Sequence, residues 1–482
     1  MHLAVVQRVL SLILILFGLT LLVPLLVAWY YGDGGLMPFV YGFAVTAGAG
    51  LLAWVPVHRR QRDLSLRDGF MIVALAWVLC SAFGALPFVF AVHPQMSFSE
   101  GMFEAASGLT TTGATVITGL DRLPHSILYY RQQLHWFGGM GIIVLALAVL
   151  PMLGVGGMQL YRAETPGPVK DKLTPRVTET AKALWLIYLG ITFTCALSYW
   201  LAGMPLFDAI GNSFATVATG GFSMHDASFA YYHSNTLELL ASFFMFISGA
   251  NFALHFSVLR SGSIKAYFRD SEFRFYLIIT LVLIAVMTAY LRYEGTFHNT
   301  FKAFVESAFQ YTSMMTTTGF LSSNFWEWPG FVPLMLILIG FMGACVGSTT
   351  GGIKVMRVVL MAKQSLREIM LLLHPSAEIT VKSGGRPVSN RILQGVLGFV
   401  ALYFALFAVM LMLLLMTGLD PLSAFSGLAT CMNNVGPGLG SVTTGFGKVS
   451  NPALWILTAA MLLGRLEIYP LLVLFTPTFW RR

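Results

Sequence analysis

The chain has 482 residues, 56% of them apolar and only 10% charged, and its mean hydropathy is +0.75. A soluble domain carries about 25% charged residues, so this composition cannot cover a water-facing surface and marks an integral membrane protein. The formal charge of +8 is spread over short loops rather than gathered on one face, which excludes nucleic acid as a partner.

A bilayer core of roughly 30 Å takes about 20 apolar residues per helix. Ten segments approach that length: 5–31, 36–57, 69–92, 130–158, 183–203, 236–259, 275–291, 331–353, 392–417 and 452–475. No small-residue cleavage site follows the first, which is expected to be a retained helix rather than a signal peptide. An even number of spans puts both termini on one side. The loops 57–68, 159–182, 260–274 and 354–391, together with Arg8, Arg481 and Arg482, hold 23 of the 29 Lys and Arg residues. The positive-inside rule makes that side, and both termini, cytoplasmic. The opposite side keeps Arg122, Arg131, Arg292, Lys302 and Lys448 against eleven acidic residues, among them Glu100, Glu104, Asp208, Glu238 and Glu306. Such a surface either concentrates cations at an outer mouth or reflects the usual scarcity of Lys and Arg in outer loops. Cys80, Cys195, Cys345 and Cys431 lie in apolar stretches and form neither a metal-ligand spacing nor a disulfide framework.

Four outer segments are too short to span: 98–109, 206–216, 301–315 and 421–432. Each leads into a glycine motif, namely Thr110-Thr111-Thr112-Gly113, Val217-Ala218-Thr219-Gly220, Thr316-Thr317-Thr318-Gly319 and Asn433-Asn434-Val435-Gly436. Aligned on the glycine, the first and third copies share Phe103 with Phe309, Ser107 with Ser313, and all three threonines. Glu100 and Glu306 also match, 13 residues before the glycine. Glycine spacings of 107, 99 and 117 describe a repeat of helix, half-helix, loop and helix. The expected fold is all-α, with ten transmembrane helices and four pseudo-repeats around one central pore. The division is 1–58 (a two-helix extension), then 69–165, 180–265, 274–372 and 390–482 (four pore repeats).

Non-helical backbone at membrane depth is tolerated only against protein or a water-filled cavity. A half-helix descending from outside turns its partially negative C-terminal end to the centre and favours a cation. The following loop presents carbonyls that replace an ion's water shell; glycine allows the positive-φ backbone this needs, and threonine adds a hydroxyl. The chemistry fits a dehydrated monovalent cation, because no ring of four carboxylates stands at the motif. One Thr-Thr-Gly alone would equally suit a helix contact. Four copies in one frame do not have that explanation.

These motifs, with Ala218-Thr219-Gly220-Gly221-Phe222 and Gly347-Ser348-Thr349-Thr350-Gly351-Gly352-Ile353-Lys354, resemble the Trk/Ktr/HKT superfamily of K⁺ transporters, specifically the membrane subunit of the bacterial Trk system. The resemblance covers the whole chain, including the two extra N-terminal helices of the Trk branch. It implies a K⁺ filter at Thr110, Thr111, Thr112, Gly113, Ala218, Thr219, Gly220, Thr316, Thr317, Thr318, Gly319, Asn434, Val435 and Gly436. The family associates glycine in all four filters with K⁺ and serine in the first with Na⁺; Gly113 therefore indicates K⁺. The family's filters are simpler than the five-residue K⁺-channel filter, so selectivity is expected to be loose, with Rb⁺ accepted. No cofactor is expected in this chain, and the bound and transported ion is K⁺.

The eighth span carries Gly340, Gly343, Gly347, Gly351 and Gly352 with Ser348, Thr349, Thr350 and Lys354. Helix propensity costs about 1 kcal/mol per glycine relative to alanine, so this stretch should unwind in the membrane beneath the filter. The resemblance implies an intramembrane loop here that obstructs the cytoplasmic half of the pore. A small-residue packing face is the competing reading. A phosphate loop fails, because Ile353 and Lys354 follow the second glycine and no strand precedes it. Arg465 sits within the last span, where a charge costs about 2.5–3.5 kcal/mol and normally faces a cavity or a partner. Glu467, two residues on, is a poor partner on a straight helix. Arg465 is expected to bond carbonyls of the 343–352 loop and repel cations, the rival being an arginine that snorkels to the cytoplasmic face.

The inner loops are basic and short, which suits anionic lipid. The resemblance further implies a homodimer in the bacterial inner membrane and a soluble cytoplasmic ring of regulator-of-K⁺-conductance subunits that binds NAD and adenine nucleotides. Segment 355–391, broken at Pro375, Gly384-Gly385 and Pro387, has the reach to contact it. An enzyme is disfavoured by the dispersed histidines and by the lack of a carboxylate beside Asn251 and His255. An inverted-repeat transporter needs halves of opposite topology, whereas these four units start on one side. A Na⁺- or H⁺-coupled symporter of the same fold stays open as the alternative.

Overall fold

The computed structural model describes residues 2–59, 65–148 and 173–481. Among the described residues the only sheet is a hairpin pairing Lys382–Ser383 with Arg386–Pro387; nearly all the rest is helix and connecting loop. Six helices are long and apolar enough to cross a bilayer: Leu3–Tyr31, Leu36–Trp54, Arg67–Phe90, Ala181–Leu201, Ser271–Tyr293 and Asn390–Met416. In their most apolar windows only 28–39% of residues are buried. Side chains such as Phe404, Val409, Met412 and Met416 point outward. Exposed apolar surface of this extent is stable against lipid rather than water, and the chain is a multi-pass membrane protein.

Of the other four predicted spans, three are bent or broken. Segment 236–259 forms Asn235–Ser248 and Phe252–Ser261, bent by 92°. The turn falls at Gly249-Ala250-Asn251, where the Asn251 side chain accepts from the Ala253 N–H and starts the second helix. Segment 452–475 bends by 111° between Asn451–Arg465 and Tyr469–Phe475. Segment 331–353 is helical over Val332–Met342, leaves the helix at Gly343, and resumes as Val355–Leu373. Segment 130–158 is represented by His125–Ala148. Its expected end, the end of the 69–165 repeat, and Arg60, Arg62, Arg162, Lys170, Lys172 and Arg482 lie outside the described residues.

Four short helices occupy the expected half-helix positions: Phe98–Leu109, Leu206–Ala218, Thr300–Met315 and Pro421–Met432. Their outer ends are capped by side-chain acceptors where the chain provides them, as at Ser97 with Glu100, Asn299 and Asp420. All residues from Gly101 to Leu109 are buried, and a helix buried on every side belongs inside protein.

The packing partners follow a rule. Phe98–Leu109 packs on Leu66–Gly84, His125–Ala148 and Asn451–Arg465; Leu206–Ala218 packs on Leu173–Leu201, Asn235–Ser248 and His125–Ala148. Thr300–Met315 takes Ser271–Tyr293, Val332–Met342 and Asn235–Ser248, and Pro421–Met432 takes Asn390–Met416, Asn451–Arg465 and Val332–Met342. Each half-helix therefore touches the two long helices of its own unit and the last helix of the unit before it. The fourth unit closes onto the first.

One expectation about the outer side changes. Glu104, Glu238 and Glu306 do not contribute to an acidic surface, because all three are buried. Glu104 pairs with buried Arg131 at 2.8 Å, and Lys302 bridges Glu238 (3.1 Å) and Glu306 (2.8 Å). Burial with a partner satisfies these charges internally.

Candidate functional site

All four half-helices end in the same way. The chain turns through a left-handed residue, Thr111 (φ 52), Thr219 (φ 53), Thr317 (φ 54) and Asn434 (φ 56). The next residue's N–H reaches back five positions, in the bonds Thr112 to Ser107, Gly220 to Ala215, Thr318 to Ser313 and Val435 to Thr430, at 2.8–2.9 Å. This is a Schellman ending, which normally places glycine at the left-handed position. A non-glycine residue there costs of order 1–3 kcal/mol and persists only when its surroundings hold it. Recurrence at four equivalent positions makes the strain a property of the site.

Two residues past each left-handed turn stands a positive-φ glycine: Gly113 (81), Gly221 (85), Gly319 (80) and Gly436 (102). The second unit is therefore offset by one from the expected register. Gly220 occupies the place of Thr112, Thr318 and Val435, and Gly221 is the counterpart of the other three glycines. The loops also meet in cyclic order. A Cβ built on Gly113 would lie 2.3 Å from the Gly220 oxygen, and one on Gly221 would lie 1.9 Å from Thr318 O. One on Gly319 would lie 1.8 Å from Val435 O, and one on Gly436 would lie 2.7 Å from Thr112 O. Each glycine sits against the carbonyl that precedes the next unit's glycine, leaving no room for a side chain. A cavity of about 90 Å³ opens over the ring, lined by Gly113, Gly221, Gly319 and Gly436.

The threonines do two jobs. In the first and third loops the flanking hydroxyls bond to each other, Thr110 to Thr112 at 2.7 Å and Thr316 to Thr318 at 2.8 Å. Three of the four left-handed residues use their side chains elsewhere. Thr219 Oγ1 donates to Thr349 Oγ1 (3.1 Å), Thr317 Oγ1 accepts from the Gly351 N–H (2.7 Å), and Asn434 Nδ2 donates to Thr112 Oγ1 (2.9 Å) and Met461 O (3.1 Å). Two of these contacts end on the broken eighth span, which therefore docks directly on the loop ring.

That break forms a strap from Gly343 to Lys354. Its neck is closed by Ile353 N–H to Phe341 O (2.9 Å) and Val355 N–H to Ala344 O (3.0 Å). Gly343 and Gly352 cross there so closely that a Cβ on Gly352 would lie 2.9 Å from the Gly343 Cα. Lys354 Nζ folds back to the Thr350 carbonyl and to Thr350 Oγ1. Ser348 Oγ is bonded to Cys345 O (2.6 Å) and Thr350 Oγ1 (2.8 Å). The strap's flank is fixed by Cys345 N–H to Gly249 O (3.0 Å), Phe252 N–H to Gly347 O (3.1 Å) and Val346 N–H to Glu272 (2.8 Å). The bend at Gly249–Asn251 thus makes a seat for the strap.

Arg465 is buried. Its guanidinium donates to Thr349 O at 2.8 Å and to Gly138 O at 3.3 Å, so it is held inside the protein and does not snorkel. Glu467 is turned away from Arg465 by the bend and bonds Arg357 at 2.5 Å; Arg357 in turn lies over the Phe399 ring, 4.3 Å from its centroid. The structure brings together the expected loop residues of all four units, strap residues 343–354 and Arg465. Sequence reading missed Gly221, the seat at Gly249–Asn251, the Arg357–Glu467 pair, and a rack of residues on His125–Ala148 behind the second loop. The adjacent pair Gly220-Gly221 was the visible signal for the first; Arg131, four residues before His135 on one helix face, was the signal for the last.

The family model described as TrkH, a cation transport protein, matches residues 35–482. The chain belongs to the TrkH family. It is 49% identical over 482 residues to the Trk system potassium uptake protein TrkH of Salmonella typhimurium, covering all of both chains. It is 50% identical over 477 residues to the TrkH of Vibrio parahaemolyticus, covering 98% of each. Against the Trk system potassium uptake protein TrkG of Escherichia coli it is 41% identical, covering 100% of this chain and 99% of the other. The crystal structure of the potassium transporter TrkH from Vibrio parahaemolyticus superposes with a TM-score of 0.94 at 47% identity, over the whole of both chains. A TrkH-family protein is a transporter rather than an enzyme, and the all-α membrane fold is that of the solved relative.

Proposed function

We propose that this TrkH-family chain mediates K⁺ uptake across the bacterial inner membrane, through the loop ring and past the strap and Arg465. The observation that carries the reading is the fourfold recurrence of one backbone geometry: a left-handed turn, a carbonyl, and a glycine pressed on the next unit's carbonyl. Such a ring offers oxygens that replace the hydration shell of a monovalent cation, while the C-terminal ends of four half-helices face it with partial negative charge. Rb⁺, being close in size, is accepted as well. The naming of the relatives as potassium uptake proteins supports K⁺ as the ion.

Strap 343–354 and Arg465 form the closed gate in this reading. The buried guanidinium adds a positive charge on the route inward from the ring, where low dielectric strengthens its repulsion of cations. Opening requires Thr349 O to part from Arg465, and Thr349 and Gly351 to part from the left-handed residues above them. In this reading the charge of the basic inner loops supports a cytoplasmic position for both termini and for the face that carries Val355–Leu373 and its hairpin. There the chain pairs with a second copy and docks a soluble nucleotide-binding regulator ring.

The test is K⁺ flux by the purified full chain in proteoliposomes, comparing wild type with Arg465→Ala. The gate role predicts a higher basal K⁺ flux and weaker control of it. Unchanged flux and regulation in Arg465→Ala sink the gate; absence of K⁺ flux under every condition sinks the transport reading.

A further inference from the structure

The four walls of the ring are not braced alike. The first and third use a hydroxyl pair across the left-handed turn, Thr110 with Thr112 and Thr316 with Thr318. In the fourth, Asn433 is held by the Tyr403 hydroxyl at 2.8 Å and Asn434 by Thr112. The second has Ala218 and Gly220 at the positions of the paired threonines, and so has no hydroxyl pair of its own.

What stands behind it is one face of helix His125–Ala148. Arg131 donates to Ser223 O at 3.2 Å and Gln132 Nε2 donates to Phe222 O at 2.9 Å. The Arg131 guanidinium lies over the Phe222 ring, 4.1 Å from its centroid, and is itself fixed by Glu104 (2.8 Å) and Thr115 Oγ1 (3.1 Å). One turn further on, the buried His135 ring meets Phe222 edge to face at 4.2 Å. It also occupies the space where a side chain at 220 would be: a Cβ on Gly220 would lie 1.7 Å from His135 Nδ1 and 2.5 Å from its Cγ. Neither ring nitrogen of His135 has a hydrogen-bond partner among the described residues, so the ring acts on this loop by filling space rather than by bonding.

We infer that Arg131, Gln132 and His135 are specificity-determining positioning residues, an external brace that replaces the missing threonine pair and sets the second wall of the ion-selective ring. The inference rests on the proposed filter. Arg131 ties the wall to the first unit through Glu104 and Thr115, so the first two walls hold a common spacing. Gln132 fixes the carbonyl after Gly221, and His135 stops the Gly220 segment from falling outward. Gly220 has no positive φ, and the atoms nearest a Cβ built there all belong to His135, so His135 is the first obstacle to a threonine at this position.

This gives a compensation test in proteoliposomes of the full chain, with K⁺ and Na⁺ permeabilities measured on the same preparations. His135→Ala should lower the K⁺/Na⁺ permeability ratio about tenfold, less than the roughly hundredfold that a full 1 Å misplacement of positioned groups can cost. His135→Ala/Gly220→Thr should recover most of that ratio, since the new side chain fills the vacated space. Arg131→Gln should lower the ratio, and Arg131→Lys should lower it less. The brace is overturned if folded His135→Ala keeps the wild-type ratio. If His135→Ala cannot be isolated, the double variant decides: recovery with high selectivity supports the brace, and failure to fold or a low ratio overturns it. Wild-type protein that carries K⁺ selectively while every variant does the same rejects the brace and leaves the filter standing. Wild-type protein that carries no K⁺ rejects the filter itself.

Discussion

At the scale of single residues, the second glycine motif shows where sequence reading stops. Ala218-Thr219-Gly220-Gly221 can be aligned on either glycine, and composition does not choose between them. The left-handed turn at Thr219 chooses, because the ring glycine must fall two positions later. The two glycines are small for different reasons: Gly221 faces Thr318 O at 1.9 Å, whereas Gly220 faces the His135 ring. Gly221→Ala must push a backbone carbonyl of the neighbouring wall, which has nowhere to go. It should abolish K⁺-selective uptake, and His135→Ala should not restore it. Growth of a K⁺-uptake-deficient bacterium on low K⁺ measures this, with expression checked in the membrane; normal growth with Gly221→Ala would restore the original register. The threonines and glycines of the first and third walls were readable because both copies keep the same letters in the same frame. The brace on His125–Ala148 was not, since Arg131 and His135 lie in a different element from the loop they hold and signal nothing until packed against it.

At the scale of elements, the same limit applies to direction. Hydropathy located the ten apolar segments, yet it is blind to whether an apolar run continues straight. The 92° and 111° bends fall where polar or left-handed residues interrupt the run, at Asn251 and at Glu467-Ile468 (φ 53 and 61). The strap was legible because five glycines in one span cannot sustain a helix; its seat on the bent helix was not. The strap's hold on the ring makes a prediction. Thr317→Val keeps the shape but removes the acceptor for the Gly351 N–H, and a buried donor left unpaired costs about 1–3 kcal/mol. In the proposed gate only the closed strap makes this bond, so the closed state should weaken by about 5- to 150-fold relative to the open state. Basal K⁺ efflux from loaded liposomes should rise accordingly, and an unchanged efflux would separate strap position from gating. Outside the membrane, the His225 ring bridges Asp121 (2.5 Å) and Asp208 (2.9 Å) and stacks on Tyr231 at 3.5 Å. Burial opposes its charging, but the bonds to Asp208 and then Asp121 outweigh burial and raise its pKa above the ordinary value. A raised pKa means that the clasp contributes fully below about pH 6.5, the unfolded value, and is lost as pH rises through the higher folded value. Amide protection in residues 119–125 and 222–232, corrected for the base-catalysed intrinsic rate, should therefore fall as external pH rises from about 6.5 through the raised pKa. His225→Ala should show low protection throughout; a wild-type protection factor that does not change with pH would rule the clasp out.

For the whole molecule, the decisive feature is cyclic closure with unequal walls. Every half-helix packs on its own two long helices and on the last helix of the unit before, so displacement of one wall is felt by its neighbours. The proposed gate, by contrast, is drawn from two units: the strap of the third, and Arg465 at the end of the helix in the fourth. In that proposal, asymmetry of this kind lets one strap close a ring of four without breaking its geometry. It also bears on energetics. Among the described residues, the buried ionisable groups in contact with the loops or strap include Arg131 and His135 behind the second loop and Lys354, Arg357 and Arg465 at the strap, and Glu467 is already committed to Arg357. Among the described residues, the carboxylate bonded to the strap itself is Glu272, which accepts from the Val346 N–H at the seat, at the strap's edge rather than between ring and Arg465. A coupled transporter needs a site whose occupancy by H⁺ or Na⁺ changes the affinity for K⁺. The ring's backbone carbonyls and hydroxyls do not titrate near neutral pH, and in the proposed gate a lifted strap leaves K⁺ a passive route. Currents through the open wild-type protein should therefore reverse at a potential that follows the K⁺ gradient and does not move when an opposing pH gradient is imposed. A reversal potential that shifts with pH at fixed K⁺ would assign proton coupling to this fold, and one that shifts with Na⁺ while K⁺ selectivity is intact would assign Na⁺ coupling. Either outcome would place a coupling site within reach of the ring.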